Sequence, residues 1–144
     1  MAHLANDQQL HPMARELAAG KNFAAVSTHF PSGTIQTQMI WVDARDGKIV
    51  LNTETHRAKY RNVQRDPRIT VLVRDEQDPY RYAEVRGEVT ATTTGEQARA
   101  HIDELARKYT GGPYPPENIK SERVMLWITP RHQTIVDQSR GVEG

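Results

Sequence analysis

Short alternating or apolar segments separated by turn residues fill most of the first half of this 144-residue chain. Residues 23–30 predict a strand that ends at Pro31-Ser32-Gly33, a sequence typical of a turn. Residues 34–43 alternate between apolar and polar side chains, and the loop 44–47 leads into another strand at 48–52. Strands joined by such short loops pair antiparallel, because a parallel pair needs a much longer crossover. The pattern therefore predicts an antiparallel meander and not a parallel Rossmann sheet.

The second half of the chain adds helices and further strands to this meander. Helices are predicted over residues 7–20 and 94–111, the second opening with a capping box formed by Thr94 and Gln97. Four more strands are predicted over residues 68–74, 80–93, 123–129 and 133–138. Gly87 lies within the longest of them and predicts a bulge or bend. Together with a short helix near residue 60, the elements predict an α+β fold, an antiparallel barrel of six to seven strands and about three helices.

Length and composition limit the class of protein. Residues 1–144 are expected to form a single domain, since the chain is too short for two. A mean hydropathy of -0.72 and the lack of a long apolar run predict no membrane-spanning helix and no membrane partner. The absence of cysteine excludes disulfides, thiolate metal ligands and a cysteine nucleophile. Because no export signal is visible at the start of the sequence, we expect a cytoplasmic protein.

Positive charge is concentrated at one predicted strand-to-helix junction, residues 53–68. From His56 to Arg68 there are five Arg or Lys and one Asp, whereas the net charge of the whole chain is +1. The start of a helix has free backbone N–H groups and a favourable dipole for an anion. The segment therefore predicts a site for a phosphate-bearing ligand. A near-neutral total charge argues against a dedicated nucleic-acid-binding protein.

The alternative interpretation is a solvated basic helix face. Arg57, Arg61, Arg65 and Arg68 recur at spacings of three and four, as the residues of one exposed face do. Lys59 lies off this stripe, which is compatible with a side chain that points elsewhere. For Arg61, Arg65 and Arg68 the solvated interpretation is preferred.

Histidines, serines and tyrosines elsewhere in the chain give few further candidates for a metal site, a catalytic residue or a ligand contact. No two histidines have the helical i, i+4 spacing of a metal site, and no Ser-His-Asp arrangement is recognisable. We therefore predict no metal site and assign no catalytic residue, and His56 alone lies beside the predicted phosphate site. Tyr80 and Tyr82 share one face of a strand, where they either pack in a core or interface or stack on a planar ring.

A family resemblance joins these observations. A strand ending in Asn52-Thr53, then Arg-Ala-Lys-Tyr-Arg-Asn-Val at 57–63 and Asp-Pro-Arg at 66–68, resembles the split β-barrel flavin/deazaflavin oxidoreductase family. This family groups the pyridoxamine 5'-phosphate oxidase-like flavoproteins with the actinobacterial enzymes that use coenzyme F420. The resemblance covers roughly residues 10–136. It implies a split β-barrel and a homodimer with cofactor sites at the subunit interface.

The resemblance also implies roles for individual residues. Arg57 and Lys59 would hold the cofactor phosphate, Gln38 and Met39 would line the ring, and both tyrosines would come from the partner subunit. The full set of implied cofactor-binding residues is Gln38, Met39, Asn52, Thr53, His56, Arg57, Lys59, Asn62, Tyr80 and Tyr82. Among these, Asn52, Thr53 and His56 would lie near the ribityl chain and the ring.

The resemblance implies an F420H2-dependent reductase that passes a hydride to a conjugated small-molecule acceptor. Many FMN-binding relatives carry a hydroxyl two residues before the phosphate lysine, where this chain has Arg57. The extra charge suits the more anionic tail of F420, so we favour F420 over FMN. The alternatives are an FMN-dependent flavoprotein and a non-catalytic cofactor-binding protein. Residues 129–133 lack the fuller Arg/His pattern of true pyridoxamine phosphate oxidases, so that activity is not expected.

Overall fold

Eight strands and three α-helices make up the computed structural model, which describes residues 2–5 and 8–138. The strands are β1 (Ala2–Ala5), β2 (Ala24–His29), β3 (Ile35–Ile40), β4 (Asp43–Arg45), β5 (Lys48–Glu54), β6 (Arg68–Asp75), β7 (Asp78–Thr93) and β8 (Arg123–Asp137). The helices are α1 (Pro12–Ala19), α2 (Ala58–Arg65) and α3 (Gly95–Thr110), with a short 3₁₀ helix at Pro116–Asn118. No helix in the described part of the chain has both the length and the apolarity needed to cross a membrane.

All strand pairs are antiparallel, and the order across the sheet is β3-β2-β6-β7-β8-β5-β4. The long strands β7 and β8 pair with each other along most of their lengths, and they join the β3-β2-β6 half to the β5-β4 half. The strand β1 pairs with β8 and was not predicted from the sequence. The strand β4 was also missed, because its residues 44 and 45 were predicted to lie in the loop 44–47. The predicted α+β split barrel with about three helices is confirmed.

Strand periodicity separates the inner and outer faces of the sheet. On β2 and β6, Ala24, Val26, Val71 and Val73 point into the main core. Their neighbours alternate to the outer face, where the apolar Leu72 is exposed. The helix α2 packs on β2 and β5, and α3 packs on β5 and β8, so both helices flank the same end of β5. This common end is where the candidate site lies.

Two helix starts differ from the sequence predictions. The first helix begins at Pro12 and not near residue 7, because the His11 Nδ1 accepts a hydrogen bond from the Met13 N–H at 3.1 Å and Pro12 occupies the first helical position. Residue 7 itself lies outside the described residues. The predicted capping box at Thr94 is wrong, since Thr94 is the N-cap residue but its side chain makes no capping hydrogen bond. Gly95, with a φ of 73°, turns the backbone into this helix instead.

The two predicted C-terminal strands form one continuous strand, β8. The pairing of β8 with β7 shifts register between Arg86 and Gly87, and Gly87 lies opposite Pro130. Proline cannot donate to the ladder but is tolerated at such a bulge, so the strand continues through it. The bulge predicted at Gly87 is confirmed.

Substitution of Gly87 by alanine is expected to destabilise the fold. A Cβ at this position would overlap the backbone oxygen of Thr129 and press on Ile128. We expect the free energy of unfolding to fall by about 1–3 kcal/mol, as for other overpacked sites. Chemical denaturation measures this change.

Gly112→Ala is the matched control. A Cβ there meets no atom within 4 Å, so the free energy of unfolding should remain close to that of the parent. Equal effects of the two substitutions would contradict the close approach at the bulge.

Candidate functional site

A pocket of about 360 Å³ opens between the start of α2, the end of β3, the helix α3 and the start of β8. Its lining residues come from seven separate segments of the chain and are Phe23, Met39, Ile40, Trp41, Asn52, Arg57, Lys59, Ile102, Leu105, Tyr114 and Arg123. Three of them are cations, and most of the others are apolar or aromatic. The pocket therefore has one positively charged side and one apolar side.

The junction of β5 and α2 supplies two of the three cations. The strand β5 ends at Glu54, and Arg57 is the N-cap residue of α2, with the extended backbone angles φ -80° and ψ 150°. Its side chain makes no capping hydrogen bond and is half-exposed, and its Nη2 lies 3.2 Å from the Glu54 Oε2. Lys59 follows in the first helical turn. The helix start and both side chains thus present positive charge to the same pocket.

Lys59 is a buried cation with little compensation. It is only 4% exposed, and its one hydrogen bond among the described residues is a long one, 3.5 Å from Nζ to the Gln38 Oε1. Burial, together with the neighbouring charges of Arg57 and Arg123, lowers the pKa of Lys59 to about 8. An anion in the pocket would offset this unfavourable accumulation of charge.

Arg123, the third cation, was not identified from the sequence. It stands at the start of β8, where it pairs with Glu54 across the ladder, and it is almost fully buried. Its Nη1 lies 3.2 Å from the Glu54 Oε2. The sequence carries no local signal for this role, because the two residues are distant in the chain and only the pairing of β5 with β8 joins them.

Glu54 is the anion that binds this region together. Its carboxylate is fully buried and accepts hydrogen bonds from the backbone N–H groups of Lys120 and Ser121, at 2.6 and 2.8 Å. Burial alone would raise the pKa of Glu54, but these two hydrogen bonds and the charges of Arg123 and Arg57 hold it below its ordinary value. The carboxylate is therefore ionised at neutral pH, and it neutralises one of the three cations.

Aromatic side chains form the opposite side of the pocket. The Trp41 and Tyr114 rings meet edge to face, with centroids 6.2 Å apart, and Phe23 lies nearby on the lining. Behind them, Trp41 stacks on Tyr109, with centroids 5.3 Å apart and ring planes 5° from parallel. Packing of this kind fixes the ring orientations and gives an apolar, aromatic surface next to the cations.

The fold and this pocket can be compared with known proteins. Residues 10–137 match the model of the pyridoxamine 5'-phosphate oxidase family. The chain belongs to this family. A search of curated proteins gives no match.

Solved structures of the same fold agree with this assignment. An F420 reductase is 28% identical, and the alignment covers 86% of this chain and 98% of that chain with a TM-score of 0.75. The conserved hypothetical protein Rv2991 from Mycobacterium tuberculosis is 23% identical over 90% of this chain and 87% of that chain, with a TM-score of 0.61. A putative pyridoxamine 5'-phosphate oxidase from Listeria innocua is 16% identical over 83% and 90% of the two chains, with a TM-score of 0.58. The last two likenesses concern the fold alone.

Five of the ten residues predicted to bind a cofactor lie in or beside the pocket. The lining includes Met39, Asn52, Arg57 and Lys59, and Gln38 contacts Lys59 at the edge of β3. These positions bring the predicted phosphate-binding and ring-lining residues together. Their binding role remains a prediction.

The other five lie outside the lining. Thr53 alternates to the opposite face of β5 and is buried, and the Nδ2 of Asn62 donates to the Thr28 hydroxyl at 3.1 Å. The Nδ1 of His56 lies 2.6 Å from the Ser121 hydroxyl, outside the pocket. Tyr80 and Tyr82 stand on β7, which contributes nothing to the lining. Within one copy of the described chain, these five residues do not line the pocket that contains Lys59, and their binding role stays a prediction. No group of three His, Asp or Glu side chains within residues 8–138 is arranged to hold a metal ion.

Anion binding in the pocket should depend on pH through Lys59. Only the protonated lysine attracts an anion, and its pKa in the free protein is about 8. We expect the affinity for sulfate, a dianion over the whole range, to fall about tenfold between pH 7 and pH 9. Calorimetric titration at fixed ionic strength measures it. Lys59→Arg should remove this pH dependence, because arginine keeps its charge.

The lowered pKa of Lys59 also predicts how the free energy of unfolding changes with pH. Since the folded pKa of about 8 lies below the ordinary value of 10.5, the unfolded chain holds more protons between these values. The contribution of Lys59 to the free energy of unfolding therefore rises as pH rises through this window. The difference between the parent and Lys59→Met should reproduce that rise, and a difference that stays flat would contradict a buried, charged Lys59.

Proposed function

We propose that this protein is a coenzyme F420-dependent reductase that transfers a hydride from the reduced deazaflavin to a small conjugated acceptor. The observation that carries the proposal is the buried, poorly compensated Lys59 beside an aromatic surface. Such a pocket matches a ligand with a phosphate at one end and a flat ring at the other. The likeness to an F420 reductase over 98% of its length adds independent support.

The pocket residues have separate tasks in this proposal. Lys59 and Arg57 hold the cofactor phosphate, since a charge-assisted contact to phosphate is among the stronger polar interactions. The rings of Trp41, Tyr114 and Phe23 pack near the planar part and exclude water. When bound, a reduced deazaflavin supplies the hydride, so the protein has to orient the ring and the acceptor and need not supply that chemistry. The proton that completes the reduction comes from solvent or a nearby side chain.

Arg57 is the reason for preferring F420 to FMN. Its side chain is 48% exposed at the mouth of the pocket, although it also contacts Glu54. A partly exposed guanidinium can follow an anionic tail that extends out of the pocket. FMN ends at a single phosphate and would use less of this charge. Family membership keeps an FMN-dependent flavoprotein as the second candidate.

Parallel titrations test which cofactor the protein binds. The purified protein is titrated with F420 and with FMN, and ligand fluorescence is followed. We expect micromolar or tighter binding of F420 and at least about tenfold weaker binding of FMN, a difference of roughly 1.4 kcal/mol. A yellow protein that retains FMN during purification would favour the second candidate. Binding of F420 with no oxidation of F420H2 by any conjugated acceptor would favour a non-catalytic cofactor-binding protein.

Lys59→Met tests the position of the phosphate. Loss of one charge-assisted hydrogen bond should weaken F420 binding about 10- to 100-fold. Arg65→Met is the matched control, because it removes one positive charge from the other end of the same helix, where Arg65 contacts the backbone oxygen of His29. Arg65→Met should bind F420 with an affinity within about twofold of the parent's, because salt in the buffer screens the attraction between the ligand and a charge far from the pocket. Similar losses in both variants would contradict a localised phosphate site.

A homodimer is the second part of the proposal. The outer face of β3, β2 and β6 exposes Met39 at 66%, Ile35 at 60% and Leu72 at 38%. Met39 and Leu72 both pair with Ala25 and so lie on one surface. Further across that surface, on β7, lie Tyr80 and Tyr82. An exposed apolar surface of this kind is typical of an interface.

A two-fold axis explains why the tyrosines are distant from the pocket. Tyr82 is three strands from Met39, about 14 Å at ordinary strand spacing. If two copies pack face to face, the Met39 end of one copy meets the β7 end of the other. Tyr80 and Tyr82 would then complete the partner's cofactor site, as the family resemblance implies.

Leu72→Glu should disrupt this dimer. A carboxylate in the middle of an apolar interface loses its hydration without gaining a partner, so the variant should elute as a monomer and bind F420 at least about tenfold more weakly. Light scattering measures the mass. Thr92→Glu, at an exposed position at the other end of β7, should remain dimeric. A monomeric parent protein would exclude the arrangement, and a monomeric variant with full cofactor affinity would exclude shared sites.

A further inference from the structure

A series of partly buried hydrogen bonds leads from Arg123 away from the pocket to α3 and β4. The Arg123 Nε donates to the Asn52 Oδ1 at 2.8 Å, and the Asn52 Nδ2 lies 3.0 Å from the His101 Nδ1. The His101 Nε2 in turn lies 3.1 Å from the Asp43 Oδ2. His101 is fully buried. The four side chains come from β8, β5, α3 and β4, and the order was not recognisable from the sequence.

The chemistry of the partners fixes the direction of every bond in this series. The Asn52 Nδ2 also donates to the Ala98 backbone oxygen at 3.0 Å, so the amide orientation is set by an obligatory acceptor. The His101 Nδ1 must therefore accept, and its Nε2 carries the proton that is donated to the Asp43 carboxylate. Arg123 therefore donates to Asn52, Asn52 donates to His101, and His101 donates to Asp43. Hydrogen bonds that run in one direction in this way polarise and strengthen one another inside a protein.

Asn52 has no donor left for a ligand. Both N–H bonds of its amide are used by Ala98 and His101, and its oxygen accepts from Arg123. Although Asn52 lines the pocket, its side chain serves to hold the Arg123 guanidinium. The family resemblance predicts that Asn52 lies near the ribityl chain and the ring of the cofactor. Its hydrogen bonds to Ala98, His101 and Arg123 give a different reason for an asparagine at this position.

The guanidinium itself is held on two further sides. Its carbon lies 5.3 Å from the centre of the Tyr114 ring, and its Nη1 faces Glu54 in an ion pair but makes no aligned hydrogen bond. Glu54 is shared with Arg57, so one carboxylate serves two arginines, and Lys59 is not paired with it. The pocket thus keeps an excess of positive charge after its internal ion pairs are formed.

We propose that Arg123 is a third anion-binding residue of this pocket and that Asp43, His101 and Asn52 position its guanidinium through this series of hydrogen bonds. The ligand group is a tetrahedral oxyanion, which three converging cations can contact on different oxygens. The inference rests on the proposed function only in taking this oxyanion to be the phosphate of the cofactor.

Sulfate alone tests Arg123 without the cofactor. In calorimetric titrations of the full chain, Arg123→Met should lower the sulfate affinity about 10- to 100-fold. Arg131→Met is the matched control, because Arg131 is an exposed arginine on the same strand that pairs with Glu88 and does not line the pocket. It should bind sulfate like the parent. Equal affinity of Arg123→Met and the parent would overturn the assignment.

A double-mutant cycle tests the positioning role. His101→Phe removes both ring hydrogen bonds and keeps a ring of similar size, and it should lower the sulfate affinity about 3- to 10-fold by loosening Asn52 and Arg123. In the Arg123→Met background the same change should have almost no further effect on sulfate affinity. Additive effects would overturn the positioning role, because a merely structural histidine would weaken binding equally in both backgrounds.

Arg123→Lys covers the case in which Arg123→Met does not fold. Lysine keeps the charge but loses the Nε contact to Asn52, so the sulfate affinity of Arg123→Lys should lie between those of the parent and Arg123→Met. Adding His101→Phe to Arg123→Lys should lower the sulfate affinity little further. Parent-like sulfate affinity in Arg123→Lys, with an undiminished effect of His101→Phe, would also overturn the proposal.

The outcomes separate this inference from the proposed function. If sulfate binding depends on Arg123 but neither F420 nor FMN binds, the proposed function fails and Arg123 remains an anion-binding residue. If F420 binds and supports turnover but Arg123→Met changes neither sulfate nor F420 affinity, the proposed function stands and the role of Arg123 fails.

Discussion

The burial of Glu54 is the interaction on which the pocket depends. One carboxylate joins the end of β5, the start of α2, the backbone at residues 120 and 121, and the start of β8. A buried charge of this kind is costly unless it is paired and hydrogen-bonded, so the segments around it must keep their relative positions. Arg57 and Arg123 are held in the pocket as a consequence, and the apolar side then forms against them.

The pocket contains three cations, and Glu54 is the one carboxylate among the described residues that pairs with any of them. A protein optimised only for stability would not bury Lys59 with a single long hydrogen bond next to two arginines. Ionisable groups with strongly shifted pKa values are concentrated at binding and catalytic sites, where a bound ligand can offset the cost of burying them. The low pKa of Lys59 and the proposed anion are therefore two consequences of one arrangement. An exposed basic helix face would show neither.

Much of the fold follows from local sequence signals, whereas only part of the site does. Alternation and turn residues predict the hairpins, the positive charge at the start of a helix predicts an anion site, and the family resemblance selects Arg57 and Lys59 within it. Arg123 and Tyr114 could not be found this way, because their position depends on the pairing of β5 with β8 and on the loop after α3. The single strand β8 was missed for the opposite reason, since Pro130 breaks the local pattern but is tolerated opposite the Gly87 bulge.

The two sides of the pocket are attached to the fold in different ways. The cations stand at the start of α2 and at the start of β8, and Glu54 at the end of β5 pairs with two of them. The aromatic and aliphatic side depends on α3, whose Lys108 donates to the Val42 backbone oxygen at 2.6 Å and to the last carbonyls of α1. Replacement of side chains on α3 or in the loop at Tyr114 could reshape the apolar side without moving the three cations of the pocket. The charged side and the apolar side of the pocket can therefore change independently of each other, because their residues belong to separate elements.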